Sequence, residues 1–188
     1  REAVREPYHR SMDNIFSGVD DELAGGEDAW VLVVLPNQTD FKRWAAETYG
    51  PAARNFNQAI GGHYSHDEKQ LVTMDLGATA RHEFLHVLHW RSNTRHGQIH
   101  PVWVQEGLCS LVEDYDIGPG GELVPVESWR TNQARFLAET GVLPHIQDLT
   151  RLSRQRFTNR RPLALYAPAR VLFLLPYLLP LLLFLVSL

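Results

Sequence analysis

His82-Glu83-Phe84-Leu85-His86 occupies the middle of Ala78–Trp90, a segment that contains neither glycine nor proline. Its residues are good helix formers, so the sequence predicts a helix here. Residues four apart lie on the same face of a helix, which lets His82 and His86 offer ring nitrogens to one metal ion without backbone distortion. The pattern therefore predicts a pair of metal ligands on one helix face.

Glu83 has a different expected role in the same motif. It is rotated by about 100° from His82, too far round to ligate comfortably but close enough to contact a water on the metal. Two histidine ligands and a neighbouring glutamate that takes the proton of that water are the parts of a hydrolytic zinc site.

A third ligand is needed, because a catalytic zinc usually has three protein ligands and a water. Glu106, within Trp103–Gly107, is the best candidate. Pro101 opens a second helical pattern, a position where proline is well tolerated. Apolar residues then recur at helical spacing, which predicts a core face made of Val104, Leu108, Leu111 and Tyr115. Glu106 falls off that stripe, so we expect it to face a partner helix.

The spacing of Glu106 behind the two histidines, in a Trp-x-x-Glu-Gly setting, resembles that of the gluzincin metallopeptidases of the thermolysin-like MA clan. The closer likeness is to the bacterial peptidase MA-like domains, and it covers about residues 28–170. The matching segments are Trp30–Leu35, Gly61-Gly62-His63-Tyr64, Arg81–His86, Trp103–Leu108 and Tyr166-Ala167-Pro168-Ala169.

This resemblance implies a zinc metallopeptidase with one zinc ion per chain. The implied ligands are His82, His86 and Glu106. Glu83 would serve as general base and then general acid. Tyr166 would donate a hydrogen bond to the oxyanion of the tetrahedral intermediate, with core packing as the alternative role. One departure is Ser110, four residues after Glu106, where such enzymes often carry an acid that orients a zinc histidine.

A hairpin is predicted before the motif helix. Gly61–Tyr64 and Gln70–Asp75 look like strands joined by the polar turn Ser65–Glu68. In gluzincins an edge strand at this place pairs with the extended substrate and holds a peptide by its backbone. The resemblance thus implies substrate binding by Gly62, His63 and Tyr64. An ordinary hairpin is the alternative.

The predicted fold class is α+β. A small mixed sheet, with its edge strand packed on the two helices of the zinc-binding core, precedes a helical C-terminal part. Trp30–Leu35 is a continuous apolar run, which predicts a strand buried on both faces. A helix should follow, with Thr39-Asp40 as its N-cap and Gly50-Pro51 at its end.

The 188 residues suffice for one ordinary domain. We expect an N-terminal arm over residues 1–27, the metallopeptidase-like domain over 28–170 and an apolar tail over 171–188. The tail carries no charge and ten leucines, interrupted by Pro176 and Pro180. A membrane anchor, a buried core helix and an aberrant chain end are the three alternatives for it.

The expected partner is a peptide or protein substrate. A membrane is a second possible partner, which the apolar tail would contact. The net charge of −4 gives no indication of a nucleic-acid partner. A catalytically inactive zinc-binding module that displays peptides, tethered to a membrane or not, is the alternative function. The sequence does not decide the cellular compartment.

Two further features could bear on a metal. The lone Cys109 excludes an intramolecular disulfide, and it is expected to be a small core residue, with a fourth ligand or an inhibitory thiol as alternatives. A rival set of metal-binding histidines could be drawn from His89, His96 and His100.

Overall fold

The computed structural model of the chain describes residues 30–50, 61–159 and 164–175. Within these residues the fold is α+β, with five strands and seven helices. The strands are β1 (Val31–Val34), β2 (Gly62–Ser65), β3 (Gln70–Thr73), β4 (Tyr115–Ile117) and β5 (Leu123–Pro125). The helices are α1 (Gln38–Tyr49), α2 (Ala78–His96), α3 (Val102–Leu111), α4 (Trp129–Glu139), α5 (Ile146–Thr150), α6 (Arg154–Asn159) and α7 (164–175).

The small mixed sheet has the strand order β1-β3-β2. β2 and β3 form the predicted antiparallel hairpin, in which Gly62 pairs with Thr73 and Ser65 with Gln70. β1 runs parallel to β3 on its other side. β2 is therefore an edge strand, as predicted, and α2 packs against both β2 and β3. A second, two-stranded sheet is formed by β4 and β5 after α3.

β1 forms where predicted, but the expectation that it is buried on both faces was wrong. Val31, Leu32 and Val34 are 56%, 50% and 45% exposed. The described part of the chain shows the reason, since α2 lies against the other two strands of the sheet. A short apolar run indicates a strand but does not reveal how many of its faces are covered.

α1 begins earlier than predicted. Its N-cap is Asn37, whose side-chain oxygen accepts a hydrogen bond from the Asp40 N–H at 3.0 Å, so the placement of the cap at Thr39-Asp40 was wrong. Asn37 has the extended backbone that an N-cap requires, with its side chain reaching the third residue of the helix. The predicted end is confirmed at Gly50, which has a φ of 90°.

The buried face of α3 differs from the predicted stripe. Val104 and Leu108 are only half-buried, and Tyr115 belongs to β4 rather than to the helix. The buried residues of α3 are instead Val102, Glu106, Gly107, Cys109, Ser110 and Leu111. Glu106 thus lies on the buried face, because that is the face which meets α2.

Two arginines donate to backbone carbonyls around the C-terminal end of α3 and in the segment that follows it. Arg81 of α2 donates to the carbonyl of Val112 at 2.7 Å and to that of Glu113 at 2.5 Å. Arg170 of α7 is fully buried and donates to the carbonyls of Ser110, Asp114 and Val126. The end of α3 is therefore fixed from two sides.

α7 lies directly against α3. A Cβ atom on Gly107 would come within 2.8 Å of the Ala169 carbonyl oxygen and 2.7 Å of the Phe173 ring, so glycine permits this close approach. Residues 171–175, the first five of the predicted apolar tail, continue α7. The rest of the tail and the predicted arm over residues 1–27 lie outside the described residues. In the described ranges, no helix is both long and apolar enough to span a membrane.

Candidate metal centre

α2 and α3 bring His82, His86 and Glu106 together, as the sequence predicts. The Nε2 atom of His82 lies 3.2 Å from Nε2 of His86 and 3.2 Å from Oε2 of Glu106. The third side of this triangle, from His86 Nε2 to Glu106 Oε2, measures 3.4 Å. All three side chains are buried, and together they could hold a metal ion.

The size of the triangle is informative. Ligands held at about 2.0–2.1 Å from a tetrahedral ion lie roughly 3.3 Å apart. The three observed separations of 3.2, 3.2 and 3.4 Å match the edges of one face of such a tetrahedron. Three protein ligands, the number that the described residues bring together, are the usual number in a catalytic rather than a structural zinc site.

Charges inside this cluster stabilise each other. Burial alone would raise the pKa of Glu106, but His86 and His82 beside it hold that pKa well below its usual range. Burial opposes a charge on His82, yet its close contacts with the carboxylates of Glu106 and Glu113 raise its pKa to about 10. Two nitrogen donors and an ionised carboxylate form the ligand set of many hydrolytic metal sites.

Glu113 supports His82 from behind, a role that the sequence reasoning missed. Its Oε1 atom lies 2.7 Å from Nδ1 of His82, close enough for an ion pair although the ring N–H is not aligned as a hydrogen bond. Arg130 of α4 holds the same carboxylate through two bonds, Nε to Oε2 at 2.6 Å and Nη2 to Oε1 at 2.7 Å. Glu113 therefore orients the histidine whose other nitrogen belongs to the cluster.

The available sequence signal was spacing, because Glu113 stands seven residues, or two helical turns, after Glu106. Ser110, where the resemblance led us to expect an acid, does not contact His82 in this way. Its hydroxyl donates to the Gly107 carbonyl of its own helix at 2.6 Å. The carboxylate that contacts His82 from behind is therefore Glu113, three residues after Ser110.

Cys109 supports the second histidine. Its Sγ atom lies 3.2 Å from Nδ1 of His86, the ring nitrogen turned away from the cluster. The thiol is fully buried in the core between α2 and α3, and burial raises its pKa well above the usual value. Cys109 is therefore a core residue in contact with His86, and its sulfur is placed behind the ring rather than at the ligand triangle.

Glu83 lies beside the cluster and under the edge strand. Burial raises its pKa, while the charges of His82 and His86 oppose that rise. A Cβ atom on Gly62 would come within 2.7 Å of Glu83 Cγ and 3.0 Å of its Oε1, so β2 passes directly over the glutamate. Glycine at this position lets the strand approach the carboxylate.

Residues 62–64 face alternate sides of the sheet, as in any strand. The Tyr64 ring stacks on His86, with centroids 5.0 Å apart and an interplanar angle of 12°. His63 turns to α1, where its Nε2 lies 2.9 Å from the Tyr49 hydroxyl. Gly62 and Tyr64 therefore adjoin the cluster, whereas the His63 side chain contacts α1. Whether any of them binds a substrate stays a prediction.

Tyr166 packs in the core of the C-terminal part. Its ring lies 5.2 Å from that of Phe157 and 5.3 Å from the Arg130 guanidinium. Burial raises its pKa well above the usual value, and the charges of Glu106 and Glu83 act in the same direction. The tyrosine is thus within electrostatic range of the cluster, and its role as an oxyanion donor stays a prediction.

The rival histidine set is only partly assembled. His89 Nε2 lies 2.7 Å from His100 Nδ1, but Nδ1 of His96 contacts the carbonyl of Ser92 on its own helix. Among the residues that the structure describes, only His82, His86 and Glu106 bring three metal-binding atoms within 4.8 Å of one another.

Comparisons of the chain with protein-family models, with curated proteins and with solved structures find no match. The evidence for a function is therefore the arrangement of these side chains.

Proposed function

We propose that this protein is a zinc-dependent peptidase, as its resemblance to the gluzincins suggests, with zinc bound by His82, His86 and Glu106. The single observation that carries the proposal is the triangle of ligand atoms at tetrahedral spacing. Glu83, the next residue after the first ligand, supplies the base that distinguishes a hydrolytic site from a structural one.

A bound zinc ion lowers the pKa of a coordinated water to about 7 and polarises a carbonyl oxygen. The chain itself moves the protons. Glu83 accepts a proton as water attacks the scissile carbonyl, and it then passes that proton to the leaving amine. The raised pKa of Glu83 suits this exchange, because it makes the carboxylate a stronger base than that of a solvated glutamate.

β2 offers the means to hold the substrate. Its outer edge has no strand partner among the described residues, and an extended peptide can add there through main-chain hydrogen bonds. Because Gly62 packs on Glu83, a peptide along this edge would pass close to the proposed base. Backbone pairing explains how an enzyme could position peptides of varied sequence.

The test compares two substitutions. Glu83→Gln should keep one zinc per chain and lower kcat by about 10²–10⁴-fold, since it removes the proton carrier but no ligand. Glu106→Ala should lose zinc, measured by elemental analysis of the purified protein. The exposed Glu139 at the end of α4 provides a matched control, because Glu139→Gln should change neither quantity. Normal turnover by Glu83→Gln would refute the assigned mechanism.

The alternative is a zinc-binding module that displays peptides without cleaving them. The same ligand triangle and edge strand would serve it. A wild-type protein that holds one zinc, binds peptides and cleaves none across a diverse peptide library would favour this alternative. A membrane tether in either function would depend on the tail beyond residue 175, outside the described residues.

A further inference from the structure

A cleft of about 500 Å³ opens beside the metal centre. Tyr64 of β2 and His86 of α2 line it at the end near the ligand triangle. The C-terminal half of α2, the loop that contains His100 and the start of α6 form its other walls. A substrate bound along β2 would therefore place some of its residues in this cleft.

Arg154, the first residue of α6, is the permanent positive charge in the lining of this cleft. Its guanidinium donates to the side-chain oxygen of Gln105, which is a neutral acceptor. Asp67 is the one carboxylate among the lining residues, and it lies in the β2–β3 turn, 3.0 Å from Nε2 of His66. Among the described residues, the hydrogen-bond partner of Arg154 is therefore a neutral amide and not a carboxylate.

Arg154 is held in place before any ligand arrives. Gln105 uses both ends of its amide, because its Nε2 also donates to the carbonyl of His100 at 2.6 Å. His100 is fixed in turn by its 2.7 Å contact with the buried His89 of α2. A cation that is already oriented loses less side-chain entropy on binding an anion.

The position of this charge relative to the centre follows from its neighbours. Gln105 directly precedes the ligand Glu106 in α3. Burial raises the pKa of Tyr64, and the positive charge of Arg154 opposes that rise, so the guanidinium lies within electrostatic range of the ring that stacks on His86. Arg154 thus stands at the end of the cleft near the metal centre.

We propose that Arg154 anchors a subsite for a carboxylate of the peptide substrate. This inference rests on the proposed peptidase function and names its substrate class. The planar guanidinium presents two parallel N–H groups that match the two oxygens of a carboxylate. That group is either the free C-terminus of a peptide or an aspartate or glutamate side chain close to the scissile bond.

Binding to the zinc-loaded Glu83→Gln variant tests the subsite without turnover. Two pairs of fluorescent peptides separate the sources of the carboxylate: one pair has a free C-terminal acid or its amide, the other an internal Glu or Gln. We expect the acid of at least one pair to bind about tenfold more tightly than its neutral counterpart, as for a charged hydrogen bond on a partly exposed surface.

Adding Arg154→Gln should abolish this preference while leaving the affinity for the neutral peptides unchanged. Gln105→Ala is the matched control. It breaks the same contact between α3 and α6 but retains the guanidinium, so the preference for the acid should become smaller but should not disappear. A merely structural role for Arg154 would instead weaken neutral and acidic peptides equally in both variants.

Three results would overturn the subsite: no preference in the parent, a preference that survives Arg154→Gln, or no binding of any peptide. Failure of the peptidase function looks different. In that event the acid preference would be present in binding, yet the wild-type protein would cleave neither member of a pair. By contrast, cleavage of acid and neutral peptides at equal kcat/KM would support the peptidase function but contradict the proposed subsite.

Discussion

Glu83, Glu106 and Glu113 are three buried glutamates whose surroundings shift their pKa values in different directions. Glu106 lies between two histidines, which keep it ionised as a ligand. Glu113 is held ionised by His82 and Arg130, and its pKa is lowered to about 2 although burial acts in the opposite direction. Only Glu83 has a raised pKa, caused by burial. Such a division between neighbouring carboxyl groups is how a site separates its ligand from its base.

At the residue scale, Glu113→Gln is expected to weaken zinc binding by roughly 10- to 100-fold. The amide orients the His82 ring less firmly and raises its basicity as a ligand less than the carboxylate does, and it leaves the Arg130 guanidinium without its ion pair. The measurement is a competition titration of zinc against a chromophoric chelator.

Ser110→Ala is the control for that titration. Its hydroxyl bonds the carbonyl of Gly107 on its own helix, so its removal should leave zinc affinity unchanged within about twofold. If Ser110→Ala weakened zinc binding as much as Glu113→Gln, Ser110 would be the supporting group instead.

At the scale of elements, the contact between β2 and α2 sets how close a peptide bound along β2 would lie to Glu83. Gly62→Ala would place a methyl group 2.7 Å from both Glu83 Cγ and Thr79 Cγ2. The strand must then move away from the helix, at a cost of about 1–3 kcal/mol. We expect kcat/KM to fall more than about tenfold while zinc content stays at one per chain.

Gly61→Ala provides a graded comparison one residue earlier. There the nearest atoms to a new Cβ are the Thr79 hydroxyl at 3.1 Å and the Met74 terminal methyl at 3.3 Å, both of which can shift slightly. Its effect on kcat/KM and on the free energy of unfolding should be clearly smaller. Equal losses in the two variants would show that general damage to the hairpin, rather than the contact with Glu83, lowers activity.

At the scale of the whole molecule, Glu113, two residues beyond the end of α3, forms ion pairs with His82 of α2 and Arg130 of α4, and these should make stability depend on pH. The carboxyl titrates near 4.3 in the unfolded chain and at about 2 in the folded protein. Its contribution is therefore fully present above pH 4.3 and is lost as the pH falls through 2. For this nearly inaccessible group it is on the order of 3 kcal/mol.

Urea denaturation of the metal-free protein between pH 5 and pH 2 measures this dependence. Glu113→Gln should be less stable than the wild type at pH 5, and the difference should shrink towards pH 2. A stability difference that stays constant over this range would contradict the proposed ion pairs.

The sequence by itself determined the parts that depend on local periodicity. The motif helix, the second helix with Glu106, the hairpin before them and the α+β class all follow from spacing, turn residues and apolar runs. His82, His86 and Glu106 could be grouped from the sequence because the first two share a helix face. The resemblance to the gluzincins supplied the expected distance to Glu106.

Only the tertiary structure decided which faces meet. Periodicity shows which side chains share a face of α3, but it did not show which are most deeply buried. Val104 and Leu108 of the predicted stripe are half-buried, whereas Glu106 is buried. The roles of Glu113, Arg130 and Cys109 come from contacts between residues far apart in the chain. The uncovered side of β1 has the same origin, because burial depends on the packing of other elements and not on the strand's own residues.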